Sequence, residues 1–228
     1  PIAGSFVPGS NRLVVTGRSP IWDTFYPSTI GGAGLPWDGL GVNFLVVSGR
    51  ASRPSVMRLG NFAGRISVTV EPVDAEAIWN GYGDEIGLYA LMHFVLGRNG
   101  ERGVGRVLCV GPAAARTGSG AIGSAPIHQG HLTHADTWAG RGGLGSRLYQ
   151  HHRLAAVVYG GDFEDVDLTD RQRVDELFGE RFGKPLKLVD LEQTVKYRFD
   201  PAFKTGGTFG SNFHVLRERA LSFNYASV

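Results

Sequence analysis

The sequence is short of most things that would declare its chemistry at once. Of 228 residues only Cys109 is a cysteine, which excludes an internal disulfide and any zinc or iron–sulfur site built from this chain's thiols alone. Its setting, Arg106-Val107-Leu108-Cys109-Val110, has the pattern of an apolar strand, so the thiol reads as core packing. Charged residues make up 19% and the net charge is +2, with no block of one sign. That balance gives no support to nucleic-acid binding or to a charged membrane patch. No apolar run approaches the ~20 residues that span a bilayer, and no secretory leader pattern opens the chain. The expected setting is the cytoplasm. Gly118-Ser119-Gly120 lacks the spacing of a nucleophile elbow and reads as a turn.

What is present points to shaped loops. A chain of 228 residues that is 42% hydrophobic can bury a full core, as one large domain or one and a half ordinary ones. Glycine, at 34 residues, is about twice its usual share of ~7%, so tight turns or loops fitted around a ligand are expected. Arginine outnumbers lysine 19 to 4, a bias compatible with phosphate recognition. The chain opens without methionine and closes on Phe223-Asn224-Tyr225-Ala226-Ser227-Val228. Both ends read as cut, and a longer protein is expected.

The pattern along the chain is mixed α and β with many short strands. Asn11 to Arg18 and Val42 to Arg50 read as strands, separated by the glycine loop Ser28 to Pro36, which opens a short helical turn. Ser55 to Leu59 and Gly64 to Glu71 read as a hairpin with one wet face, because Ile66, Val68 and Val70 alternate with polar residues. Asp74 is a cap for a helix through Trp79, and a second helix is expected over Glu85 to Leu96. Val104 to Val110 and Leu154 to Tyr159 are apolar enough for buried strands. From Asp162 the character changes to an acidic turn and then amphipathic helices, the first with Val174, Leu177, Phe178 and Phe182 on one face and the second with Leu188, Leu191 and Val195. These features divide the chain into residues 1–162 and an incomplete helical unit, 163–228.

The most informative stretch is residues 138–161. Four of the six residues from Gly140 to Gly145 are glycine, so main chain can approach a ligand closely, and Arg141 adds a planar fork suited to phosphate oxygens. Gly140-x-Gly142-x-x-Gly145 formally satisfies the dinucleotide fingerprint, with Asp162 22 residues past Gly140, where a ribose hydroxyl would be bound. Against an NAD(P) site, the preceding segment His131 to Thr137 is too polar for the central strand of a parallel sheet. His128, His131 and His134 recur every third residue, which on a strand sends side chains to both faces, so they read as turn or surface residues and not as a metal set. His151 and His152, at the end of a short helix, read as partners of its C-terminal dipole. No catalytic acid or base is visible.

Four segments in order resemble the N-terminal domain of the aldehyde ferredoxin oxidoreductases, tungsten or molybdenum bis-pterin enzymes. They are Pro8-Gly9-Ser10-Asn11-Arg12 with Gly17-Arg18-Ser19-Pro20; Pro27-Ser28-Thr29-Ile30-Gly31-Gly32 followed by Phe44 to Arg50; the turn Gly111-Pro112-Ala113; and Ala139-Gly140-Arg141-Gly142-Gly143-Leu144-Gly145 with Leu154 to Val158. Each motif alone is modest, but four in this order are specific, and the likeness covers residues 8–161, with a weak continuation through Thr205 to Gly210. The resemblance implies an α+β fold with two β-sheets forming a base that seats the pterins, followed by the start of a helical domain. It implies cofactor contacts from Arg12, Thr29, Gly31, Gly32, Trp138, Gly140, Arg141 and Gly142, none of them a catalytic acid or base.

The same resemblance implies an iron–sulfur cluster ligated outside this chain, ferredoxin or another iron–sulfur carrier as electron acceptor, and a small aldehyde as substrate. A homodimer is compatible with it. Two positions depart from the family pattern: Thr29 stands where the family has asparagine, and Thr137 where it has arginine, with Trp138 beside it. The alternatives left open are the tungsten subunit of a benzoyl-CoA-reductase-type enzyme, an NAD(P)-binding dehydrogenase fragment, and a non-catalytic remnant domain.

Overall fold

In a computed structural model of the chain, the residues described are 11–97, 105–129, 131–133, 136–164 and 171–183. All of them fall in the first of two units, Pro1–Gly183, the second being Lys184–Val228. The fold is α+β, with one sheet of seven strands, one of two, and few helices.

The larger sheet is built around its most apolar segments. Strands β3 (Ser55–Phe62) and β4 (Arg65–Pro72) form the expected hairpin. It turns through Ala63 and Gly64, both at positive φ as a two-residue hairpin loop requires. Strand β9 (Leu154–Gly161), Leu-Ala-Ala-Val-Val-Tyr-Gly-Gly, is buried along its length except at the last residue. It lies parallel to β3 and antiparallel to β5 (Arg106–Val110), so both edges are paired at mid-sheet. Antiparallel to β5 comes β6 (Ile122–His128), which also pairs with β7 (His131–Leu132) and with β8 (Thr137–Ala139).

Each face of this sheet is covered, which is why its central strands read as continuous apolar runs rather than alternating ones. On one face lie α2 (Ala75–Asn80) and α3 (Gly87–Gly97), the latter burying Leu88, Leu91, Met92 and Val95. Asp74 caps α2 by accepting from the Ala77 amide at 3.1 Å, and Trp79 Nε1 donates to the Val110 carbonyl at 3.1 Å, tying that helix to β5. On the opposite face lie α1 (Gly34–Asp38) and the two-stranded sheet of β1 (Leu13–Arg18) and β2 (Phe25–Ile30). Trp37 of α1 meets Tyr159 of β9 edge-on, with ring centroids 5.1 Å apart, and the buried Tyr159 hydroxyl donates to the Ala33 carbonyl at 2.7 Å.

Two expectations about strands need correction. Residues 42–50 are extended but pair with no strand among the described residues, and Phe44 and Val46 are 78% and 75% exposed. The segment is hydrogen-bonded near its ends, by Trp37 Nε1 donating to the Val42 carbonyl at 3.0 Å and by His152 Nδ1, 2.7 Å from the Gly49 carbonyl, and Val47 packs against the core. Strand propensity without a neighbouring edge to bond leaves it a tethered strap. The hairpin's outer strand β4 is exposed on both faces, Ile66, Val68 and Val70 included, because no described element packs over that edge.

Further along the chain, the glycine loop leads into the single turn α5 (Leu144–Ser146) and a π-helical turn, Arg147–His151. The positive charge of Arg147 is the main cause of a lowered His151 pKa. The helix expected after the acidic turn is α6 (Arg171–Phe182); the helix expected around Leu188 to Val195 lies outside the described residues. Cys109 is fully buried, and burial pushes its thiol far above the ordinary range, as a packed, inert cysteine requires.

Candidate cofactor site

The candidate site draws on one end of the small sheet, where β1 begins and β2 ends, and on the loop after β8. In β1 and β2 the register sets Leu13 opposite Ile30 and Val14 opposite Thr29. Alternation then divides the sheet: Ser28 and Ile30 are buried, while Val14, Thr16, Arg18, Phe25, Pro27 and Thr29 are exposed. Thr29 therefore sits on the outer face beside Val14, and Arg12, one step before β1, is exposed as well. Gly31 and Gly32 follow β2 directly and turn the chain toward α1, whose Gly34 amide donates to the Asn11 carbonyl at 2.9 Å.

The second half comes from β8 and the glycine loop. Thr137 Oγ1 donates to the Gly31 carbonyl at 2.9 Å, a contact between residues 106 apart in sequence. Beyond it, Gly140 and Arg141 are exposed, and a Cβ on Gly140 would meet no described atom within 4 Å. Gly142 is buried against the ring of Tyr26, which brings the loop down onto β2. The rest of the loop is structural: the Gly145 and Ser146 amides both donate to the Gly120 carbonyl, at 2.9 and 3.2 Å.

A buried cation joins the Gly31–Gly32 loop to β8. Arg106, at the start of β5, is only 4% exposed. Its Nη2 donates to the Gly31 carbonyl at 3.1 Å and to Thr137 Oγ1 at 2.8 Å, its Nη1 to the Gly32 carbonyl at 3.4 Å, and its Nε to Ser124 Oγ at 2.8 Å. Burial, the largest influence, lowers its pKa, but a guanidinium keeps its charge throughout the working range. The amides of Gly32 and Ala33 on one side, and of Arg141, Gly142 and Gly143 on the other, make no hydrogen bond to another described residue. Free amides, the exposed arginines 12 and 141, and a cation beneath the loops suit a ligand carrying phosphates.

Of the eight residues expected at the site, Arg12, Thr29, Gly31 and Gly32 stand at one end of the small sheet, and Gly140, Arg141 and Gly142 lie on the loop after β8, where Gly142 meets Tyr26 of β2. Trp138 is placed differently. It alternates with Thr137 and Ala139 in β8, and its ring packs over Gly123 beside Leu88 of α3, on the face opposite Arg106. Arg106 and Ser124 went unnoticed in the sequence. The available signal was a charge at the head of an otherwise apolar strand, which a buried segment keeps only when its donors are satisfied.

The dinucleotide arrangement is not formed. That fold needs a parallel strand–helix–strand unit around the fingerprint, whereas β8 is antiparallel to β6 and β9 pairs with β3 and β5. Asp162 has other work: both carboxylate oxygens accept from the Ala63 amide at 3.1 Å, closing the β3–β4 turn. Among the described residues no group of three histidine, cysteine, aspartate or glutamate side chains is close enough to hold a metal, and no helix is long and apolar enough to cross a membrane.

Comparison with known proteins places the chain in a family. The chain is 37% identical over 225 residues to glyceraldehyde-3-phosphate:ferredoxin oxidoreductase of Pyrococcus furiosus, a match that covers 93% of this chain and 34% of that protein. It is 34% identical over 218 residues to an uncharacterized protein of Methanocaldococcus jannaschii, with 95% of this chain and 33% of that one covered. The chain thus spans about a third of the length of the curated relatives it matches. Its fold resembles the active-site complex of benzoyl coenzyme A reductase with 1,5-dienoyl-CoA, with a TM-score of 0.51 and 19% identity over 71% of this chain and 22% of that one. Residues 1–161 match the model of the aldehyde ferredoxin oxidoreductase N-terminal domain, and the chain belongs to that family.

Proposed function

We propose that this chain is the cofactor-seating part of a tungsten- or molybdenum-dependent oxidoreductase. The reaction is the oxidation of an aldehyde with water to a carboxylic acid, releasing two electrons and two protons, the electrons leaving through an iron–sulfur cluster to ferredoxin or another iron–sulfur carrier. The observation that carries the reading is the tie between the Gly31–Gly32 loop and strand β8, made by Thr137 and Arg106, with the Gly140–Gly142 loop following β8 and amides on both loops that bond no other described residue. When bound, the metal pterin supplies oxygen transfer and takes up the electron pair.

This chain's residues bind and orient. Gly31, Gly32, Gly140 and Gly142 let main chain approach the pterin phosphates, Arg12 and Arg141 neutralise them, and Thr29 offers a hydroxyl on the adjoining face. Trp138, 44% exposed on the face opposite Arg106, belongs to the reading only as a contact that the family resemblance implies. The seating domain ends at residue 162, and the cluster ligands and substrate funnel lie in the part that the relatives have and this chain does not span. The Pyrococcus relative is named for a phosphorylated aldehyde; only the aldehyde class is carried over.

A second reading, a benzoyl-CoA-reductase-type subunit, draws on the fold likeness alone. One experiment separates the possibilities. The full-length protein, purified without oxygen, is assayed for tungsten, molybdenum and pterin, then for reduction of a viologen dye by aldehydes. Metal and pterin with aldehyde-dependent reduction support the proposal. Metal and pterin with turnover only of an aromatic CoA thioester favour the second reading, and a protein devoid of both groups after expression in a pterin-competent host is a non-catalytic remnant.

A further inference from the structure

We infer that Arg106 is the positioning residue of the cofactor seat: it locks the Gly31–Gly32 loop to strand β8, which leads into the Gly140–Gly142 loop, and it places there a positive charge without an ion-pair partner among the described residues, which selects an anionic, phosphate-bearing ligand. The inference rests on the pterin-seating reading and adds the origin of the charge that such a seat needs.

A guanidinium has five N–H donors. In Arg106 four are engaged, by Ser124 Oγ, the Gly31 and Gly32 carbonyls and Thr137 Oγ1, and every one of these acceptors is neutral. Among the described residues no carboxylate forms an ion pair with it. Asp136, next to Thr137, contributes only at a distance, and its carboxylate accepts from the Tyr89 hydroxyl at 2.6 Å. The geometry therefore holds a buried cation whose hydrogen bonds are nearly complete and which has no ion-pair partner among the described residues.

That combination is not what loop stitching alone requires. Taking an ion out of water is costly, and apolar or neutral polar side chains of similar size commonly replace buried ions without loss of stability. What only the guanidinium adds is charge in a poorly screened position, directly under the two carbonyls that turn the Gly31–Gly32 loop. Gly32 lets main chain lie close over that charge. Its φ is +68°, and a Cβ there would lie 3.4 Å from Arg106 Nη1, so only backbone separates the cation from the outer side of the loop. Thr137 completes the device: it accepts from Arg106 and donates to Gly31, so one hydroxyl fixes the distance between loop and strand.

Three variants of the full-length protein test this, with pterin per protein measured by fluorescence after oxidative release and thermal unfolding measured in parallel. Arg106→Gln keeps a hydrogen-bonding side chain but no charge, and pterin content should fall about tenfold or more, the usual scale for contacts to an ion. Arg106→Lys keeps the charge without the fork and should recover most of the wild-type content. Thr137→Val keeps the charge and removes the stitch, giving an intermediate level. Arg106→Gln protein as full of pterin as wild type overturns the inference, and so does folded Arg106→Lys protein as empty as Arg106→Gln. If Arg106→Gln protein does not fold, the Arg106→Lys variant alone decides in the same way. Wild-type protein lacking pterin sinks the functional reading itself, whereas a loaded wild type beside an equally loaded Arg106→Gln sinks only the role of Arg106.

Discussion

Two glycines three residues apart, Gly140 and Gly143, should respond in opposite ways to the same added methyl group. Gly143 has φ +64° and opens the α5 turn, and a Cβ there would run into the Gly118 carbonyl oxygen while lying 3.1 Å from Pro20 Cγ. A left-handed conformation costs an L-residue about 1–2 kcal/mol, and forcing backbone apart in a packed region adds about 1–3 kcal/mol. Gly143→Ala should therefore destabilise the domain by ~2–5 kcal/mol, a fall in Tm of at least ~5 °C for a domain of this size. Gly140 has no described atom within 4 Å of its added Cβ and no positive φ. Gly140→Ala should thus stay within about 0.5 kcal/mol of wild type in the cofactor-free protein, while pterin content falls severalfold, because the methyl group occupies the approach to the ligand. Circular dichroism melts of the cofactor-free proteins and pterin analysis of the loaded ones measure the two effects separately. Gly143→Ala melting with wild type, or Gly140→Ala melting with Gly143→Ala, would refute the division of the loop into a packed half and a ligand half.

Other consequences are equally specific. Ala63 sits at φ +51° in the β3–β4 turn, where Asn-Gly is the preferred pair, so Ala63→Asn should stabilise the protein by about 0.5–1 kcal/mol in a denaturant titration. Asp162→Ala removes both 3.1 Å acceptors of the Ala63 amide and should cost about 0.5–1.5 kcal/mol, with NAD(P) binding absent before and after by calorimetry. Cys109 should resist alkylation at pH 8 in the folded protein and react once unfolded, since burial holds its thiol protonated. The same upward shift fixes a pH dependence. Below the ordinary cysteine value of 9.0 the thiol is neutral in both states and stability is unaffected; above it the unfolded thiol ionises while the folded one does not, and stability falls. Urea midpoints should decline from about pH 9 upward, and Cys109→Ala should move the onset toward the range of Tyr159, whose hydroxyl burial also raises.

Local features were legible where a short window contains the whole cause. The hairpin, the Asp74 cap, the apolar strands at Arg106–Val110 and Leu154–Gly161, and the buried Cys109 all follow from spacing and side-chain type within a few residues. The glycine loops were legible as places where main chain approaches something, and the ordered motifs located the family. What was not legible required knowing a partner. Residues 42–50 have strand composition, yet strand formation depends on an adjacent edge that no local pattern supplies. Ile66, Val68 and Val70 alternate as a buried face would, yet no described element covers them.

By itself the sequence determined the class of the domain, its turns and caps, its central strands, and the residue types available for holding phosphate. Only the tertiary structure decided which of those residues meet. Arg106 reaches Gly31 and Gly32 across 75 and 74 positions, and Asp162 closes a turn 99 positions away. The pairing register of β8 with β6 sends Thr137 toward the cation and Trp138 to the other face. The physical reason is that strand pairing is non-local: a register shift of one residue exchanges the two faces of a strand without changing its composition.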